Sequence, residues 1–220
     1  MEGEFIKYPL FFSSHTLFFS YDTLYIKAMH TIIKTSYSQN NLGVFELTTQ
    51  NHSDYCIKHG YTYHPVDEPY NPYIDVDEIL GYLTEYDLVV TMGVDVLIQH
   101  PETPIERFAH DGVTMCRELQ SGTLNADLIL YTRAAIPILN KVADIQNEMK
   151  DGQTALNHLS IRTKGIYEEP MLQIAAPVMN DRLDYKNVCI EDYFALHYHT
   201  VGKMPTVTAK ADGLKKDLNK

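Results

Sequence analysis

The segment Tyr86–Ile98, Tyr-Asp-Leu-Val-Val-Thr-Met-Gly-Val-Asp-Val-Leu-Ile, carries one carboxylate, Asp95, inside a run that is largely apolar from Leu88 onward. A carboxylate buried in such a run is costly unless something pairs with it. A divalent cation or a phosphate-bearing ligand is a partner that makes the position useful. Two other pairs have spacing that serves the same chemistry. His197 and His199 are two residues apart, as are Asn125 and Asp127, and on a strand each pair faces one side. Oxygen ligands suit magnesium or manganese, and an imidazole among them tilts the choice toward manganese. Asp151 and Gln153 open a further polar segment, where Asp151 by type is an N-cap.

The elements that must position these groups are legible from periodicity. Val76, Ile79, Leu80 and Leu83 lie at helical spacing behind Asp75, and Asp75 and Glu78 have the spacing of a capping box. The order is therefore helix, short turn, buried strand and acid, and in open α/β sheets ligands bind where strands end. A first strand is expected at Tyr8–Ser14 and a helix over Leu24–Ser38, with Tyr25, Ala28, Met29, Ile32 and Ile33 on one stripe. A helix over Leu42–His59 stops at Gly60. Tyr61–Pro65 reads as a short strand, and Glu68–Tyr73, with Pro69 and Pro72, as a loop. Beyond the turn His100–Pro104, strands are expected at Val113–Glu118 and Leu124–Thr132. Helices follow from Pro137 to Met149 and over Thr154–Leu159, then a last strand around Leu196–Tyr198. The alternation predicts an α/β fold with a mostly parallel, helix-flanked sheet. Residues 1–205 are expected to form one domain, and 206–220, with four lysines and two aspartates, a polar tail.

Composition narrows the function classes. With 220 residues, 45% of them hydrophobic, the chain suits one substantial core. A net charge of −11 argues against a nucleic-acid partner, which needs a phosphate-neutralising basic surface. An acidic protein that handles a diphosphate gains from a bridging cation. Cys56, Cys116 and Cys189 are odd in number and far apart, which reads as reduced thiols of an intracellular protein. The apolar run Leu10–Phe19 is broken by Ser13, Ser14 and His15, and no run is long enough to span a membrane. The expected location is cytosol, bacterial or of a virus-infected host.

Five segments, in order over roughly residues 44 to 205, resemble the donor-binding core of the GT-A type nucleotide-sugar glycosyltransferases. The resemblance extends to small soluble forms such as those of large algal viruses. Asn51, Tyr55 and His59-Gly60-Tyr61 resemble a helix end common in that family. Gly93-Val94-Asp95 resembles its Asp-x-Asp signature, with glycine at the first acid. Leu124–Leu130 resembles a strand beside the sugar pocket, with Asp127 where glycine is usual. Asp151, Gln153, Leu156 and Asn157 resemble its Asp-Gln-x-x-Leu-Asn helix start, with Gly152 inserted. His199 and Gly202 resemble its C-terminal His-x-x-Gly, a spacing that selects His199 over His197.

The resemblance implies a GT-A-like domain that transfers a hexose from a nucleotide sugar, a UDP-hexose, to a hydroxyl of a glycan or glycoprotein acceptor, using manganese or magnesium. It implies Asp95 and His199 as metal ligands. It places Gly93, Asn125, Gly202 and Lys203 at the nucleotide sugar, with Ser13, Ser14 and His15 at the end of the first strand. Asp127, Asp151 and Gln153 fall at the reacting centre, Asp127 either as general base or as the carboxylate that Gly93 does not supply. Two other readings stand beside this one. A sugar-nucleotide pyrophosphorylase would want a Gly-rich basic loop, and Phe11–Ser20 has neither glycine nor lysine. A catalytically weak or inactive relative that binds glycan or nucleotide would explain the glycine at 93.

Overall fold

Thr31–Tyr37 is a strand, β1, and not the end of a helix over Leu24–Ser38. Thr31, Ile32, Ile33 and Thr35 are β-branched, and such side chains fit a pleated surface better than a helical turn. The first five residues of β1 are buried. Strand burial on both faces overrides the helical stripe that the apolar spacing suggests. The computed structural model describes residues 29–37, 39, 42–68, 71, 73–117, 122–175 and 192–197. The expected strand Tyr8–Ser14 and the tail 206–220 lie outside them.

The chain continues through α1 (Leu42–His59), β2 (Thr62–Asp67), α2 (Val76–Glu85), β3 (Leu88–Gly93) and β4 (Val96–Ile98). Then come β5 (Val113–Arg117), β6 (Leu124–Thr132), α3 (Ile136–Met149), α4 (Gly152–Ser160), β7 (Ile166–Glu168), β8 (Gln173–Ala175) and β9 (Ala195–His197). Asp75 caps α2 by accepting the Glu78 amide at 3.0 Å, as the spacing predicts. Pro137 sits in the first turn of α3. Gly152, the inserted glycine, allows α4 to start against Ile74, whose Cγ1 would lie 2.5 Å from a Cβ at that position.

Six strands form the main sheet in the order β2-β1-β3-β6-β5-β7. β1 pairs in parallel with β2 and β3, and β5 with β7. β6 runs antiparallel to both of its neighbours. A second, three-stranded sheet has the order β4-β9-β8. Alternation divides the core between two faces. Val89, Ile129 and Tyr131 pack with Val76, Ile138 and Leu156 of the helices α2, α3 and α4. Leu88, Val90, Leu128 and Leu130 pack with Tyr55 of α1 and with Val96, Ile98 and Ala195 of the small sheet. Cys56 and Cys116 are buried, and the Cys116 thiol donates to the Gln173 carbonyl at 3.4 Å. Among the described residues no helix is long and apolar enough to cross a membrane.

Candidate functional site

The site lies where β1 and β3 end together. Ser36 is in register with Gly93, the last residue of β3. There the sequence reads as one strand through Asp95, but the chain turns at Val94-Asp95 and enters the small sheet as β4. Asp95 thus sits on a corner between two sheets, where its side chain is 14% exposed.

α1 holds that corner in place. The Thr48 hydroxyl donates to the Val94 carbonyl at 2.8 Å, and His52 Nε2 meets the Val96 carbonyl at 2.7 Å. Asn51 bonds Ile98 twice, its amide nitrogen donating to the carbonyl at 3.0 Å and its oxygen accepting the N–H at 2.9 Å. The Tyr55 hydroxyl donates to the Thr103 carbonyl at 2.9 Å. One helical stripe therefore bonds backbone groups of β4, at Val96 and Ile98, and of the segments on either side of it, at Val94 and Thr103. The Asn51 and Tyr55 of the sequence motif have this physical task.

Burial keeps His52 neutral. Its Nε2–H donates to Val96, so Nδ1 accepts from the Thr35 hydroxyl at 3.2 Å. Desolvation lowers its pKa from 6.5 to about 4, against a smaller upward pull from the Val96 hydrogen bond. Between those values the unfolded chain binds a proton that the folded chain excludes. Stability is therefore fully present above pH 6.5 and declines as pH falls through that window, by about 3 kcal/mol in all. Urea unfolding of wild type and His52→Gln at several pH values from 4 to 7 tests this. The variant is expected to lack that part of the acid sensitivity, and identical pH slopes would contradict it.

Two further groups meet Asp95. His197, at the end of β9, lies opposite Val96 across the small sheet. Its Nε2 is 3.8 Å from Asp95 Oδ1 and 3.2 Å from Asp127 Oδ2. Among the described residues, Asp95, Asp127 and His197 form a group whose ligand atoms all lie within 4.8 Å of one another. His197 is buried and Asp127 is 38% exposed, so the group is supported from behind and open at one side. Gly93 completes the geometry by what it omits. A Cβ there would lie 3.0 Å from Asp95 Oδ1 and 3.4 Å from Asp127 Oδ1. The Asp127 carboxylate stands in front of Gly93, across from Asp95.

Side-chain amides hold the segment that carries Asp127. The β3–β6 ladder ends at Met92 and Leu128, one residue short of Asp127. Asn157 of α4 then bonds both the N–H and the carbonyl of Leu124, at 2.8 and 3.0 Å. Gln153 Oε1 accepts the Ala126 N–H at 3.0 Å, and Asn125 Oδ1 accepts the Asp127 N–H at 2.8 Å. Gln173 Nε2 donates to the same Asn125 oxygen at 2.7 Å.

Of the residues singled out from sequence, Asp95, Gly93 and Asp127 are brought together, and Asn125 and Gln153 stand directly behind Asp127. Asp151 caps α4, its two oxygens accepting from the N–H and the hydroxyl of Thr154 at 2.5 and 2.8 Å. Ser13, Ser14, His15, His199, Gly202 and Lys203 lie outside the described residues. Among the described residues the histidine against Asp95 is His197, the residue paired with His199 by spacing in the sequence. Gln173 and Asn157 carry no sequence signal that separates them from ordinary polar residues, apart from Asn157 in the Asp-Gln-x-x-Leu-Asn resemblance.

No protein-family model matches the chain, and no curated protein matches it. Solved structures do. One is a glycosyltransferase involved in the glycosylation of the major capsid of PBCV-1, with a TM-score of 0.65 and 12% identity, covering 85% of this chain and 99% of that one. Another is the bifunctional glycosyltransferase WbbM, with a TM-score of 0.51 and 10% identity, covering 86% of this chain and 50% of that one. The chain has the GT-A-like α/β fold of these glycosyltransferases. It spans nearly all of the PBCV-1 protein and about half of WbbM.

Proposed function

We propose that the protein is a metal-dependent glycosyltransferase that moves a hexose from a nucleotide sugar, a UDP-sugar, to a hydroxyl acceptor such as a glycan. The observation that carries this reading is the convergence of Asp95, Asp127 and His197 at the end of β3, on a fold shared with glycosyltransferases. Two carboxylates and an imidazole nitrogen are a donor set that suits manganese, or magnesium with less help from the nitrogen. Two carboxylate oxygens within 4.8 Å repel each other by about 3 kcal/mol at a surface-like dielectric. A divalent cation held by both would add an attraction to each carboxylate that outweighs this repulsion. The unfilled position at Gly93 also leaves both acids unobstructed by a side chain of β3.

When bound, the ion supplies Lewis-acid stabilisation of the departing nucleoside diphosphate. The chain's own residues do the rest. The α1 stripe fixes the Asp95 corner, and the amides of Asn125 and Gln153 fix β6, so the two carboxylates are held in position before the donor arrives. Asp127, the more exposed acid, is the one placed to reach the donor sugar or an acceptor hydroxyl. Isothermal titration of UDP with and without manganese tests the reading. Manganese is expected to strengthen UDP binding by at least about tenfold, in line with the effect of metal-site partners generally. Equal affinity in the two titrations would favour the non-catalytic binding protein instead.

A further inference from the structure

We propose that Gln173 is a positioning residue for Asp127, acting through Asn125; the inference rests on the reading of Asp95, Asp127 and His197 as a cation site. Gln173 stands on β8, beside the strand that carries His197, and is 3% exposed. Its amide orientation is fixed by its neighbour. Asn125 Oδ1 already accepts the Asp127 N–H, so it is an oxygen, and only the nitrogen of Gln173 can bond to it. Asn125 is itself 1% exposed. The chain of contacts runs from β8 through two buried amides to the backbone of Asp127, with no water-exposed link.

The other half of the Gln173 amide makes the point. Oε1 is buried and has no hydrogen-bond partner among the described residues. An unmet buried acceptor destabilises a fold, and an apolar side chain of the same length would remove that penalty. Stability alone therefore does not account for a glutamine here. Its donated hydrogen bond to Asn125 does something an apolar side chain cannot, which is to keep the Asn125 carbonyl turned toward the Asp127 N–H. Gln173 thereby ties the small sheet, which carries His197, to the strand that carries Asp127. The two strands that meet at the cation site are set at a fixed distance from each other.

The test measures manganese affinity by titration calorimetry, and thermal melting on the same samples, for wild type, Gln173→Met and Gln173→Leu. Both substitutions remove the donor and the unmet acceptor while keeping bulk. The expected result is a loss of manganese affinity of roughly tenfold, the scale seen when groups behind a metal ligand are removed, with a melting temperature equal to or above that of wild type. Unchanged affinity in a folded variant would overturn the proposal. So would a fall in affinity matched by a fall in melting temperature, or loss of the fold in both variants, since each marks a structural role. Absence of manganese binding by the wild type would overturn the cation-site reading itself, and this inference with it.

Discussion

Asp95→Ala is expected to abolish the manganese-dependent part of UDP binding while leaving the fold in place. The side chain sits on a turn rather than inside a ladder, and the backbone around it is held by groups that the substitution does not touch: Thr48 on Val94, His52 on Val96 and Asn51 on Ile98. Removing the carboxylate also relieves its repulsion with Asp127. It also removes the His197 contact at 3.8 Å, so the melting temperature without metal should change little. Groups that only support a metal ligand cost roughly 10- to 100-fold in affinity when removed, so loss of a ligand itself belongs at or above the top of that range. Calorimetric titration of UDP at fixed manganese, together with circular dichroism, checks both halves. A folded variant with wild-type UDP affinity and wild-type metal response would remove Asp95 from the site.

How much of this was legible in the sequence follows from the physics of each part. The helix Leu42–His59 and the strand Leu124–Thr132 have the bounds read from the sequence, and Gly60, at a φ of 71°, ends the helix. Thr31–Tyr37 was misread because Ile32 and Ile33 serve a helical stripe and a strand equally well in pattern. What decides between them is burial on both faces of a central strand, which a single sequence does not display. The corner at Asp95 was half legible. A charge amid apolar residues marks the position, but the turn that sends β4 into a second sheet depends on α1 side chains more than forty residues upstream.

The two-residue spacing of His197 and His199 shows that a strand would turn both rings one way. That His197 meets Asp95 follows from the register of β9 against β4, where Val96 is opposite His197; His199 lies outside the described residues. Gln173 was invisible for a related reason. A buried amide whose only described side-chain partner is another buried amide on a distant strand has no local pattern.

Asp127→Asn is expected to lower turnover on donor hydrolysis far more than it weakens UDP binding at saturating manganese. The substitution keeps the shape of the side chain and removes its charge next to Asp95 and His197. A loss confined to turnover marks an interaction made mainly in the transition state. The geometry at Gly93 allows a sharper test of what the charge is for. The space before Gly93 is occupied by the Asp127 carboxylate, and a Cβ at 93 would lie 3.5 Å from Asp127 Cβ and 3.0 Å from an Asp95 oxygen. Gly93→Asp alone should therefore crowd the site and lower activity. Asp127→Gly alone should lower it too, by removing the acid. Combined, the two changes move one carboxylate from β6 to β3 and clear the Asp127 side chain from its path; only the mobile end of the Asp95 side chain must then shift. The double variant is expected to recover at least about tenfold of the turnover lost in Asp127→Gly, or roughly 1.4 kcal/mol of the barrier, so the coupling between the two sites exceeds that figure by whatever Gly93→Asp costs alone. Steady-state donor hydrolysis by the four proteins of this cycle measures it. If the double variant folds and is no better than Asp127→Gly, the carboxylate at 127 is needed for its own position rather than for the charge it brings to Asp95.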